Sequence, residues 1–235
     1  MATKLYTIEE RVRQRLNEEI PRFWSSNEII GIINDGIRDL WRSLVDLKQE
    51  YFLTVDATNV SLTANTATVT GIPADVHKIY ALEVRDGSST SSNKNLFFEP
   101  LEYHHPYFEN ARTCASIEPT NATIFYSIMG AGGPVAAPTI RVAPQVSSAV
   151  NLTLIYVPTI GTLTSGSAVP LPGEVDNALI AWTLAYARAK ERDNRDPDPN
   201  WLGIYGTEKQ NLLQSLGLRN LHKPPHVDGL FQEHW

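Results

Sequence analysis

The sequence predicts an α+β fold: a helical bundle built from an N-terminal and a C-terminal helix pair, a β-rich and mostly antiparallel insertion, and an extended C-terminal arm. Three observations predict it. Apolar residues recur every three to four positions over 1–50 and again over 171–217, the spacing of an amphipathic helix. Over 51–170 the period falls to two and turn residues punctuate it, as in short strands. The remainder, 218–235, keeps neither period and contains the adjacent prolines Pro224 and Pro225.

The first helix is expected to start at "TIEE", where Thr7 and Glu10 have the spacing of a reciprocal capping box, and to close at Pro21. Ile8, Val12 and Leu16 would form its buried face. A second box, Ser25 with Glu28, precedes Ile29, Ile30, Ile33, Ile37, Leu40, Trp41, Leu44 and Leu47, while Asn34, Asp35, Arg38, Asp39 and Arg42 fill the polar positions. Gly31 and Gly36 each weaken that helix by about 1 kcal/mol relative to Ala, so close approach by another helix is expected there.

Strands are expected in "YFLTV", "TATVT", "KIYALEV", "NLFFEP", "TIFYSI", "TIRVA" and "NLTLIYVP". No helical pattern long enough for a crossover separates them, which favours antiparallel pairing. "PLEYHHPYFENA" reads as a short surface helix.

Helical spacing returns in "LPGEVDNALIAWTLAYARAKERD". Pro170 and Pro172 end the extended chain, and Glu174 and Asp176 place negative charge at the helix start. Val175, Leu179, Trp182, Tyr186 and Ala189 make the stripe. Asp198 then caps a last helix with Pro199 in its first position, Leu202, Tyr205, Leu212, Leu213 and Leu216 as its stripe, and Gly217 as its stop. Neither helix pair can bury its stripe alone, so the two pairs are expected to pack together.

Bulk properties narrow the function. With 26 acidic against 20 basic residues and a net charge of -6, the chain lacks the basic excess of proteins that coat phosphate backbones. A single cysteine, Cys114, allows no intramolecular disulfide or thiolate metal cluster. The start, "MATKLYTIEERVRQRL", carries charges where a signal peptide needs an apolar core, and the apolar run Ala178–Ala187 is about half a membrane span. A protein made in a reducing cytoplasm, with no membrane segment, is expected.

Candidate chemistry is sparse, and no cofactor is expected. Tyr103, His104, His105, Tyr107 and Glu109 form the best cluster, but adjacent histidines point apart and no His-x-x-x-His pair accompanies them. "GAGGP" from Gly130 lacks the helix start that phosphate loops need. Asp193, Asp196 and Asp198 lack the spacing of a calcium loop and suit helix ends better. Two other classes compete with a structural role: an enzyme using the His104/His105 segment, and a monomeric carbohydrate- or peptide-binding module.

The whole pattern, "NEIIGIINDGIRDLWRSL", a strand-rich insertion, the proline-introduced "LPGEVDNALIAWTLAYARAKERD", "EKQNLLQSLG" and an extended tail, resembles the head-to-tail connector proteins, or portal adaptors, of tailed bacteriophages. The resemblance implies a structural virion protein, made in the host bacterial cytoplasm, and not an enzyme. It implies a homo-oligomeric ring, usually of twelve subunits, between the portal protein and a tail protein (tube, nozzle or tail-completion protein), with DNA only as a passing duplex. It further implies scaffold helices carrying Ile33, Ile37, Trp41, Leu179, Trp182 and Tyr186. Leu221, Pro224, Pro225, Leu230, Phe231 and Trp235 would form the arm that docks on the portal.

Overall fold

A computed structural model describes residues 3–18, 20–85, 96–119, 122–130, 137–192 and 196–218. The fold is α+β, with five α-helices and eight strands among these residues. The chain divides into two compact units: one draws on the sequence up to Gln49 and from Gly161 onward, the other on Glu50–Ile160.

The helical unit contains α1 (Leu5–Leu16), α2 (Ser26–Lys48), α4 (Asp176–Glu191) and α5 (Pro199–Leu218). Helix α4 packs against α1, α2 and α5. Its buried residues, Ala178, Leu179, Ile180, Ala181, Thr183, Leu184, Ala185, Ala187 and Ala189, surround the axis instead of forming the single stripe expected. A helix apolar on all sides is one enclosed by neighbours, and the alanines let those neighbours come close. Thr183 settles its own polarity by donating to the Leu179 carbonyl at 2.7 Å.

Helix α1 departs from expectation at both ends. It begins at Leu5, and its cap residue Lys4 makes no side-chain cap. The N–H groups of Leu5 and Tyr6 instead donate to the carbonyls of Ser167 and Ser165, each at 3.0 Å, and Lys4 bridges to Ala168. Carbonyls from a distant segment thus do the work assigned to Thr7 and Glu10. The helix ends at Leu16, before Pro21, because Asn17 turns left-handed (φ 60°) and the N–H groups of Asn17 and Glu18 donate to Gln14 and Arg13, the Schellman arrangement.

Helix α2 starts with the expected Ser25–Glu28 capping box. The buried face differs from the expected stripe at four positions: Ile30 is half-buried and Leu47 exposed, whereas Val45 and Asn34 are buried. Asn34 accepts from the Leu163 N–H at 2.8 Å and donates to the Leu163 carbonyl at 3.0 Å, so its burial is matched by hydrogen bonds. Of the two glycines, only Gly36 has a close neighbour; no atom lies within 4 Å of a Cβ built at Gly31.

In the second unit, β8 (Val150–Pro158) pairs antiparallel with β1 (Thr54–Asp56), β2 (Ser61–Leu62) and β4 (Val76–Val84), and β2 pairs with β3 (Val69–Thr70). The second sheet holds β5 (Phe97–Pro100), β6 (Thr123–Met129) and β7 (Thr139–Ala143). Here β5 and β6 run parallel; the connection between them contains α3 (Pro106–Arg112) and supplies the length a parallel crossover needs. Both sheets bury side chains in one core that includes Leu62, Leu82, Ile124, Ile140, Val142, Leu152 and Leu154. Gly71 (φ +77°) closes the turn beyond β3, where a Cβ would fall 2.0 Å from the Asn59 carbonyl oxygen.

Candidate functional site

The residues that the resemblance places on scaffold helices lie on α2 and α4. Ile33, Ile37 and Trp41 on α2 and Leu179 on α4 are buried, and Trp182 and Tyr186 on α4 are half-buried. The Trp182 indole lies 4.6 Å from the Tyr186 ring and 4.9 Å from that of Tyr205 on α5. Its Nε1–H donates to the Ile32 carbonyl at 3.1 Å. Beside this aromatic group, the Asp39 carboxylate accepts from the Tyr205 hydroxyl and from Lys209 Nζ, the latter at 2.6 Å. Burial pushes the Asp39 carboxyl up, but the hydrogen bonds from Lys209 and Tyr205 outweigh it and hold the group below its ordinary value. Burial, then the Asp39 carboxylate, push the Tyr205 phenol far above the usual tyrosine range.

A second network lies at the α1–α2 junction. Arg13, 5% exposed, donates from Nε to Glu9 at 3.0 Å, from one terminal nitrogen to the Trp24 carbonyl at 3.2 Å, and from the other to Ser26 Oγ at 3.2 Å. Glu18 accepts from the N–H groups of Arg22 at 2.6 Å, Phe23, and Trp24 at 3.3 Å. Desolvation raises the Glu18 pKa, but these backbone donors and Arg13 bring it below the ordinary value. The legible signal was the Glu9–Arg13 spacing of four. Burial of the pair was not legible, because it depends on how the α1–α2 connection folds over it.

The His104/His105 segment is occupied locally. His105 caps α3, with Nδ1 accepting from the Tyr107 N–H at 3.3 Å and Pro106 in the first turn. Its ring stacks on Tyr107, 5.4 Å between centroids. His104 is exposed, with Nδ1 3.9 Å from the Glu109 carboxylate. No group of three His, Cys, Asp or Glu side chains placed to hold a metal occurs among the described residues. Asp198 is buried, pairs with Arg192 at 2.8 Å and accepts from the Asn200 N–H at 3.0 Å, the capping role expected. Asp193, Ala131 to Pro134, and the arm residues Leu221, Pro224, Pro225, Leu230, Phe231 and Trp235 lie outside the described residues.

The networks of the helical unit spend their polar groups on fixing helix to helix, and the unit draws on both halves of the sequence. This is the build of a structural scaffold. The model of the SU10 adaptor protein family matches residues 3–224, and the chain belongs to that family: it is a phage adaptor-type structural protein of the virion. No curated protein matches it. Among the described residues no helix is long and apolar enough to cross a membrane.

Proposed function

We propose that this protein is a head-to-tail connector: its copies form a ring, of twelve subunits, beneath the portal protein and continue the DNA channel from capsid to tail. The observation that carries the reading is the family match, which runs through both units and past the end of α5 to residue 224.

In this reading the helical unit is the ring wall. Ile33, Ile37, Trp41, Leu179, Trp182 and Tyr186 keep it rigid, and the β-rich unit meets a tail protein (tube, nozzle or tail-completion protein). Leu221, Pro224, Pro225, Leu230, Phe231 and Trp235 dock on the portal, where one weak arm per subunit gains strength from the number of arms in the ring. The net charge of -6 suits a channel that a polyanionic duplex must pass without sticking. The reading needs no cofactor, catalytic residue or membrane.

The test is a chain ending at Gly217, compared with the full chain by sedimentation with purified portal. The truncated chain should fold with nearly unchanged stability and fail to bind. Unchanged binding by the truncated chain would remove the arm from the portal contact.

A further inference from the structure

On the β-rich unit, a cavity of about 170 Å³ is lined by Tyr103, Phe108 and Arg112 from α3 and its approach, by Arg141 and Val142 of β7, and by Gln145. Phe108 and Val142, 0% and 1% exposed, supply the apolar part of the lining. The charged residues of the lining are both cations: Arg112 and Arg141 line the cavity, and no carboxylate residue does.

The two arginines differ in what they already hold. Arg112 lies 3.4 Å from the Glu109 carboxylate and 4.9 Å from the centre of the Tyr103 ring. Arg141 is exposed and has no ion pair among the described residues. Arg112 and Arg141 against the one Glu109 carboxylate leave these three groups with a net charge of +1, which favours an anion at the cavity. One monoanion restores the balance. A guanidinium fork and a side-chain amide match the two oxygens of a carboxylate.

We propose that this cavity binds one carboxylate, supplied by an acidic side chain of a protein partner in the virion. The cavity accepts a single small anion, whereas a nucleic-acid track needs cations repeated along the phosphates and the chain as a whole is acidic, at -6. The protein source rests on the connector reading; the carboxylate site does not.

The full chain is titrated with acetate, with sodium chloride at matched ionic strength as the control, and thermal unfolding is followed. Acetate should raise the melting temperature saturably above the chloride control, as a ligand that binds only the folded state does. Arg141→Gln should need about ten-fold more acetate for the same rise, the scale of one lost charge-assisted hydrogen bond, and Arg112→Gln should behave alike. Equal rises in acetate and chloride, or an unchanged response in both variants, would overturn the site. For the source, Arg141→Glu should weaken a complex of the chain with portal or tail protein that the wild type forms. An intact complex, or duplex DNA competing with acetate, would overturn the protein source. A wild type that forms no such complex would instead count against the connector reading and leave the acetate result standing on its own.

Discussion

Gly36 on α2 provides the space in which the Trp182 indole of α4 lies: a Cβ built at position 36 falls 2.6 Å from Trp182 Cδ1 and 2.9 Å from Cγ. The indole cannot swing away freely, since its Nε1–H is bound to the Ile32 carbonyl at 3.1 Å. Gly36→Ala should therefore destabilise the subunit by about 1–3 kcal/mol, an overpacking cost that exceeds the gain in helix propensity. Gly31→Ala, with open space around it, should stabilise by up to about 1 kcal/mol. Urea unfolding of both variants checks the pair, and the opposite order would show that the seam is not packed this way.

Arg13→Ala leaves Glu9 and Glu18, both buried, without the guanidinium that lies 3.0 Å and 3.7 Å from them. Removing one partner from such a pair costs about 3–5 kcal/mol. Arg13→Lys should recover only part of this, since an ammonium lacks the planar fork that reaches Glu9, the Trp24 carbonyl and Ser26 together. A loss below about 1 kcal/mol in urea unfolding would exclude the network as a structural anchor.

Tyr205→Phe removes one donor from the Asp39 carboxylate while Lys209 remains. The expected loss is about 1.5 kcal/mol, the low end for a hydrogen bond to a charged group. Tyr205→Phe combined with Lys209→Met should lose more than the sum, because Asp39 is then left with neither partner. Additive losses would argue against one shared network.

Features settled by adjacent residues leave a trace in the sequence, and features settled by distant partners leave little. Local signals read well: the Ser25–Glu28 box, Asp198 with Pro199, and the short helix after His105 all occur as expected, because each is settled by a few adjacent residues. Signals that depend on distant partners did not. The start of α1 is fixed by carbonyls of Ser165 and Ser167, and the burial of Asn34 by Leu163, neither of which leaves a local trace. The strand β2 (Ser61–Leu62) is too short to show a period. Of the candidate site, Ile33, Ile37 and Trp41 on α2 follow the helical spacing, whereas the enclosure of α4 on all sides, the Arg13 network and the Arg112–Arg141 cavity are made by chain segments meeting in space.

Acid should weaken the helical unit in a defined window. Glu28 accepts hydrogen bonds from Lys190 at 2.7 Å and from the Ser25 N–H and hydroxyl at 2.9 Å, which together hold its pKa at about 2 against an ordinary 4.5. A carboxyl depressed on folding contributes stability that is fully present above its unfolded pKa and is lost as pH falls through the folded one. The contribution of Glu28 should therefore fade between about pH 4.5 and pH 2. Thermal unfolding of Glu28→Gln should lie below wild type at pH 7 and converge with it near pH 2. Parallel curves would mean that the Lys190 contact does not hold the carboxylate.

A ring that joins the portal to the tail fixes the mass of the complex that this SU10 adaptor family member forms with purified portal. Sedimentation equilibrium of the full chain with portal should give one bound chain per portal subunit, in a closed particle that the free chain does not form by itself at the same concentration. A chain that stays monomeric and unbound at saturating portal would exclude the connector role.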